Sequence, residues 1–402
     1  MDHLNLSFRL PSSANGSAPG PSFWDLPFKL LPAQVARLTA HSLRLNTLVG
    51  EVRRPGNGYQ GCTISCSLDD IQGIHSGVID QEAVDYLIWN LGREHIRGSQ
   101  SPRHNRIIKI EYLSRVANAA WYLECNPSSL CQLWDRLERP WQEFVVEHDR
   151  DEFCWRRQRP SVSTGKACHY ANTAYILQKD DVFAQAIQFV VWDSLQNRIA
   201  TSVEDEDLRN IAAVRERYLR RVFNHLLTEI TLLQSSKRTW EIAAEIRKRI
   251  EESDLLGIRL LSNEGPEAVI NALDHAWGQG EEILAQFSVY GFIHQVDVVL
   301  LNGTSAYCPP RVSAPSFSPK EVGRVNWLGL FRLSSRDQYT ETVEKLLSRI
   351  STQIQLDQHT FTECLIRKRD DKLEEWISKL RQSPSLPPTQ ANGSNGLNGH
   401  AT

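Results

Sequence analysis

The chain has 402 residues, 45 basic and 48 acidic side chains, a net charge of −3 and 41% hydrophobic residues. That hydrophobic content supports a sizeable core and excludes global disorder. The lack of positive excess argues against nucleic acid or an anionic membrane as the main partner, and no run of about 18 apolar residues is available to span a bilayer.

Met1-Asp2-His3-Leu4-Asn5 has neither the basic region nor the apolar region of a secretory signal. The eight cysteines are therefore read as reduced thiols of a cytoplasmic or nuclear protein. Cys62/Cys66 and Cys125/Cys131 lack the two-residue gap of a zinc knuckle, so no structural zinc is expected; no metal or organic cofactor is otherwise called for.

In chain order, residues 1–21 are rich in Ser, Asn, Gly and Pro and read as disordered. Residues 22–59 are an N-terminal extension. Val84, Leu87, Ile88 and Leu91 share one face of a helix over 80–92, with Asp80 as N-cap. A second helix is expected over 106–122, from Ile107, Ile110, Leu113 and Val116. Ala174–Leu177 and Ile187–Trp192 read as strands from their β-branched and aromatic content. Lys179-Asp180-Asp181 begins the connection between them.

Residues 204–233 carry an apolar helical stripe, opened by a Ser202/Asp205 capping pair. Further helices are expected over 239–252 and 266–277, and at the start of 280–297. Residues 302–320, with Pro309, Pro310, Pro315 and Pro319, read as a linker. Amphipathic helices over 338–350 and 361–381 close the folded part, and 383–402 reads as a disordered tail.

The Gly-Lys-Ser/Thr phosphate loop, Gly-x-Ser-x-Gly and His-Glu-x-x-His are absent, and no Gly-x-Gly-x-x-Gly follows an expected strand. What remains is an ordered set of three features. Ser67–Ile74, Gly77–Asp80 and Val84–Ile88 form the first. Cys168-His169-Tyr170 followed by Val191-Trp192-Asp193-Ser194-Leu195 is the second. The third is Gln358-His359-Thr360-Phe361-Thr362-Glu363-Cys364, a Gln six residues before a Cys that follows an acid.

This order resembles the cysteine proteases that process ubiquitin-like (SUMO-type) modifiers, with Tyr170 in place of the family's Trp and Leu365 in place of its Gly. The resemblance implies an α+β, predominantly helical fold, with a papain-like core formed by residues 60–200 and 321–382. It also implies a helical insertion at 201–300 and a linker at 301–320. In that reading Cys364 attacks a peptide or isopeptide bond and His169 acts as base, then acid. Asp193 orients the imidazole, and Gln358 donates to the oxyanion. The partner would be a ubiquitin-like protein or another protein substrate, with no nucleic acid and no membrane.

Two other readings stay open. One is a helical small-molecule enzyme, such as an atypical class I terpene cyclase, with Lys237 and Arg238 holding a diphosphate. The other is a non-catalytic helical interaction protein, in which Arg217, Arg220 and Arg221 form a solvated or partner-binding face.

Overall fold

The computed structural model describes residues 4–11, 23–52, 63–67, 79–92, 109–150, 162–193, 198–252, 289–302 and 335–382. The helix expected over 266–277, the linker, the tail and most of Ser67–Gly77 lie outside these residues.

The chain divides into two compact units, Met1–Trp134 with Arg369–Thr402, and Asp135–Lys368. The described residues are predominantly helical. The one sheet among them has the order β2-β1-β3, from Leu4–Pro11 (β1), Phe23–Leu30 (β2) and Thr63–Ser67 (β3). β1 pairs antiparallel to β2 and parallel to β3. A strand at Leu4–Pro11 departs from the loose N-terminus expected above. The signal was local: Leu4 and Leu6 are buried while Asn5 and Ser7 are only partly so, the period-two alternation of a half-buried strand.

The first unit continues with α1 (Pro32–His41), α2 (Leu43–Val52), α3 (Gln81–Gly92) and α4 (Ile110–Tyr122). The Asp80 carboxylate caps α3, accepting from the Ala83 amide at 2.8 Å and pairing with Arg115 at 2.9 Å. Val84, Leu87, Ile88 and Leu91 are buried, as their spacing requires. The α1–α2 junction is stitched to the end of α4. Ser42 Oγ donates to the Leu123 carbonyl at 2.6 Å, and the Asn126 amide donates to the His41 carbonyl at 2.8 Å. The Trp121 ring meets the Trp376 ring edge-on at 4.7 Å, with Lys372 Nζ near both faces.

The second unit holds α6 (Glu138–Arg150), α7 (Val162–Ile176), α8 (Asp180–Ile187), α9 (Glu206–Arg209), α10 (Ile211–Gln234), α11 (Trp240–Glu252) and α12 (Val289–Asn302). It also holds most of α13 (Ser335–Gln382); α5 (Cys131–Asp135) spans the division between the units. After α8 the backbone widens into one π-helical stretch, Gln188–Asp193. This stretch packs against α7, α8, α10 and α12, and Val190, Val191 and Trp192 have no exposed surface.

Both strands expected in this region are helical. Ala174–Ile176 ends α7, and Ile187–Trp192 runs from α8 into the π-helical stretch. Ala174–Leu177 is wholly buried, and Ile187–Trp192 is buried apart from half-buried Gln188 and Phe189; such runs show no clear alternation, and a short buried helix has the same composition as a buried strand. The 204–233 segment is also broken, at Asn210. Asp205 rather than Ser202 caps α9, accepting from the Asp207 amide at 3.0 Å, and Asn210 Oδ1 caps α10 through the Ala213 amide at 3.1 Å.

Helices α4 and α7 end alike. The Cys125 amide reaches back to Ala120 and the Lys179 amide to Ala174, while the Glu124 and Gln178 amides donate to Trp121 and Tyr175. This is the Schellman pattern. It puts Glu124 at φ 52° and Gln178 at φ 56°, in the left-handed region that favours glycine. Burial raises the Glu124 carboxyl pKa, opposed by Arg44, Lys379 and Lys372. Exposed Gln178 is therefore the cleaner probe of this strain. Gln178→Gly is expected to raise stability by about 0.5–1 kcal/mol, read as a higher urea midpoint at unchanged m-value. A lower midpoint would mean that the Gln178 side chain outweighs its backbone strain.

Candidate functional site

The four residues that the resemblance assigns to catalysis all lie on helical segments of the second unit. His169 is half-buried within α7, and Asp193 ends the π-helical stretch. Gln358 and Cys364 both lie on α13, which begins at Ser335, roughly eight turns before Cys364. Cys364 is thus not at a helix start, where the dipole and unbonded amides would lower a thiol pKa. Gln358 and Cys364, six residues apart, are separated by about 9 Å of rise and roughly 240° of turn. The helix does not gather them on one face.

The reason is the register of the buried stripe on α13. Val343, Leu346, Leu347, Ile350, Ile354, Phe361 and Leu365 are all buried. They repeat at three and four residues, with a polar gap at Asp357 and Gln358. Cys364 falls one residue off this stripe and is exposed.

Two tyrosine hydroxyls hold α13 at its carbonyls. Tyr175 of α7 donates to the Leu365 oxygen at 3.3 Å, and Tyr218 of α10 to the Asp357 oxygen at 3.4 Å. Arg221 pairs with the Asp357 carboxylate at 3.3 Å, and Lys368 with Asp205 at 3.0 Å. His169 lies six residues, about 9 Å along α7, from Tyr175.

Around the gap, the rings of Trp192, Tyr218 and Phe361 meet at 5.0–6.0 Å. One turn before Tyr218, Arg215 is 2% exposed, and Cys168 faces it from α7 closely enough for the two charges to interact. Burial pushes the Cys168 thiol up to about 12, with the Arg215 charge pulling the other way, and it lowers Arg215 to about 10. At neutral pH, therefore, Cys168 is a protonated thiol and Arg215 a cation. This is a structural pair, with no activated nucleophile. Arg215 shares the apolar side of α10 with Ile211, Val214, Tyr218 and Leu219, the signal from which its burial could have been read.

The neighbouring arginines, read as a possible free face, are paired. Arg217 contacts Asp207 at 3.0 Å, and Arg220 contacts Glu216 at 2.7 Å. Lys237 and Arg238, assigned to a diphosphate in the small-molecule reading, are exposed in the turn between α10 and α11. Among the described residues no group of three His, Cys, Asp or Glu could hold a metal ion. No helix among them is long and apolar enough to cross a membrane. No family model, curated protein or solved structure matches the chain.

Among the described residues one buried hydroxyl is without a partner. Thr173 has no exposed surface, and its Oγ1 has no hydrogen-bond partner in the structure. Thr173→Val removes that polar atom at nearly constant shape. It is expected to leave stability unchanged or raise it by about 1 kcal/mol, measured by urea unfolding. A loss of more than about 1 kcal/mol would show that the hydroxyl is bonded in solution.

Proposed function

We propose that the chain is a non-catalytic helical interaction protein in a cytosolic or nuclear setting. The observation that carries this reading is the placement of Cys364, exposed in the interior of an unbroken helix. Inside a helix every backbone amide is already bonded four residues back. An acyl-transfer nucleophile needs the opposite, free donors aimed at the oxyanion and a base within hydrogen-bond reach. Neither Gln358, on another face of the same helix, nor the adjacent backbone supports that role. The free state of the four described thiols, Cys125, Cys131, Cys168 and Cys364, fits a reducing compartment.

The rival is the modifier-type peptidase, with Cys364, His169, Asp193 and Gln358 in the roles given above. A labelling experiment separates the two. The full chain is incubated with ubiquitin and SUMO carrying a C-terminal electrophile, and separately with iodoacetamide, and the adducts are located by mass spectrometry. The interaction reading predicts no modifier adduct, and iodoacetamide labelling of Cys364 within about threefold of the rate at exposed Cys131, as unactivated thiols behave. A modifier adduct at Cys364 that is lost in His169→Ala would overturn it.

A further inference from the structure

The turn between α10 and α11 has an unusual composition. Leu232, in the last turn of α10, is 56% exposed, and Trp240, the first residue of α11, is 54% exposed. Between them lie Lys237 and Arg238, both exposed, and the ten residues from Thr231 to Trp240 contain no carboxylate. Arg247 Nη2 donates to Gln234 Oε1 at 3.1 Å, bringing a third cation to the flank. The nearest acids are accounted for in part: Glu229 pairs with Arg349 at 2.8 Å, and exposed Glu241 follows Trp240.

The turn is well held. Ser235 Oγ donates to the Leu232 carbonyl at 2.7 Å and Thr239 Oγ1 to the Leu233 carbonyl at 2.6 Å. The Trp240 amide donates to the Ser236 carbonyl at 3.0 Å. The turn thus carries two large exposed apolar side chains, Leu232 and Trp240, with two exposed cations between them in sequence.

We propose that this turn docks the chain on an anionic lipid surface. The proposal rests on the reading of the chain as an interaction protein and names its partner. A lipid interface accepts Trp at the headgroup level and Leu just below it, while Lys and Arg meet the negative surface. It demands no complementary pocket, only apolar depth and negative charge, and the turn offers the match to both. The overall charge of −3 does not oppose this, because attraction to a charged surface acts within a Debye length, about 8 Å at physiological salt. At the turn itself the exposed cations Lys237 and Arg238 outnumber the one adjacent exposed acid, Glu241.

The test is co-sedimentation of the full chain with phosphatidylcholine vesicles, with and without phosphatidylserine, at low and physiological salt. Binding is expected only with phosphatidylserine, weakening as salt rises. Each of Lys237→Ala and Arg238→Ala should lower the partition coefficient by about fivefold, and Trp240→Ser with Leu232→Ser should abolish it. Circular dichroism should be unchanged, since all four positions are exposed. Equal binding to neutral vesicles, no binding to either, or binding indifferent to these substitutions would each overturn the proposal. So would a soluble polyglutamate peptide that binds in a Trp240-dependent way while vesicles do not, which would assign the turn to an acidic protein. A modifier adduct at Cys364 would overturn the non-catalytic reading without touching the vesicle result, so the two failures are distinguishable.

Discussion

The apolar stripe along α13 is the constraint on which the second unit depends. From Val343 to Leu365 it repeats at three and four residues, the spacing that keeps one face of a helix against a core. At the one gap, Asp357, the partner helix supplies polar contacts instead, Tyr218 to the carbonyl and Arg221 to the carboxylate. The helix therefore crosses this polar stretch unbroken. The Trp192–Tyr218–Phe361 rings fill the apolar space beside that gap, and the π-helical stretch that carries Trp192 packs against four helices.

That register decides the chemistry open to Cys364. A residue between Phe361 and Leu365 on a packed stripe is either core or surface according to its angle, and Cys364 is surface. Cys168, the buried thiol among the unit's described residues, has the opposite problem. Burial raises its pKa to about 12, so the nearby Arg215 charge does not suffice to make a thiolate at neutral pH. Of the four described thiols, Cys131 and Cys364 are exposed and Cys125 and Cys168 are buried, and burial raises both buried thiols to about 12.

Helices with a strong apolar face were legible in the sequence. Asp80 with Val84, Leu87, Ile88 and Leu91 marked α3 to within a residue, and Ile110, Leu113 and Val116 marked α4. Short segments with almost no polar positions were not. Ala174–Leu177 has none and Ile187–Trp192 only Gln188, so β-branched and aromatic content pointed to strands where tertiary packing makes helix. The 351–360 stretch failed for the converse reason. Its polar run hid a helix that Ile354 and the contacts from α10 hold continuous, and no Gly or Pro was present to break it. In the sequence, therefore, α13 reads as two helices, over 338–350 and 361–381. Arg215 was missed because a lone arginine on an apolar face is more often a solvated side chain that snorkels than a buried cation.

Continuity of α13 through residues 354–368 is the central claim, and amide hydrogen exchange tests it most directly. An unbroken, packed helix predicts uniformly slow exchange across this segment, with amides 358–365 protected like those of Ile350 and Ile354. A run of fast-exchanging amides at 360–366, marking a helix start at Cys364 with free N–H groups, would contradict the account and restore the geometry that a thiol nucleophile requires.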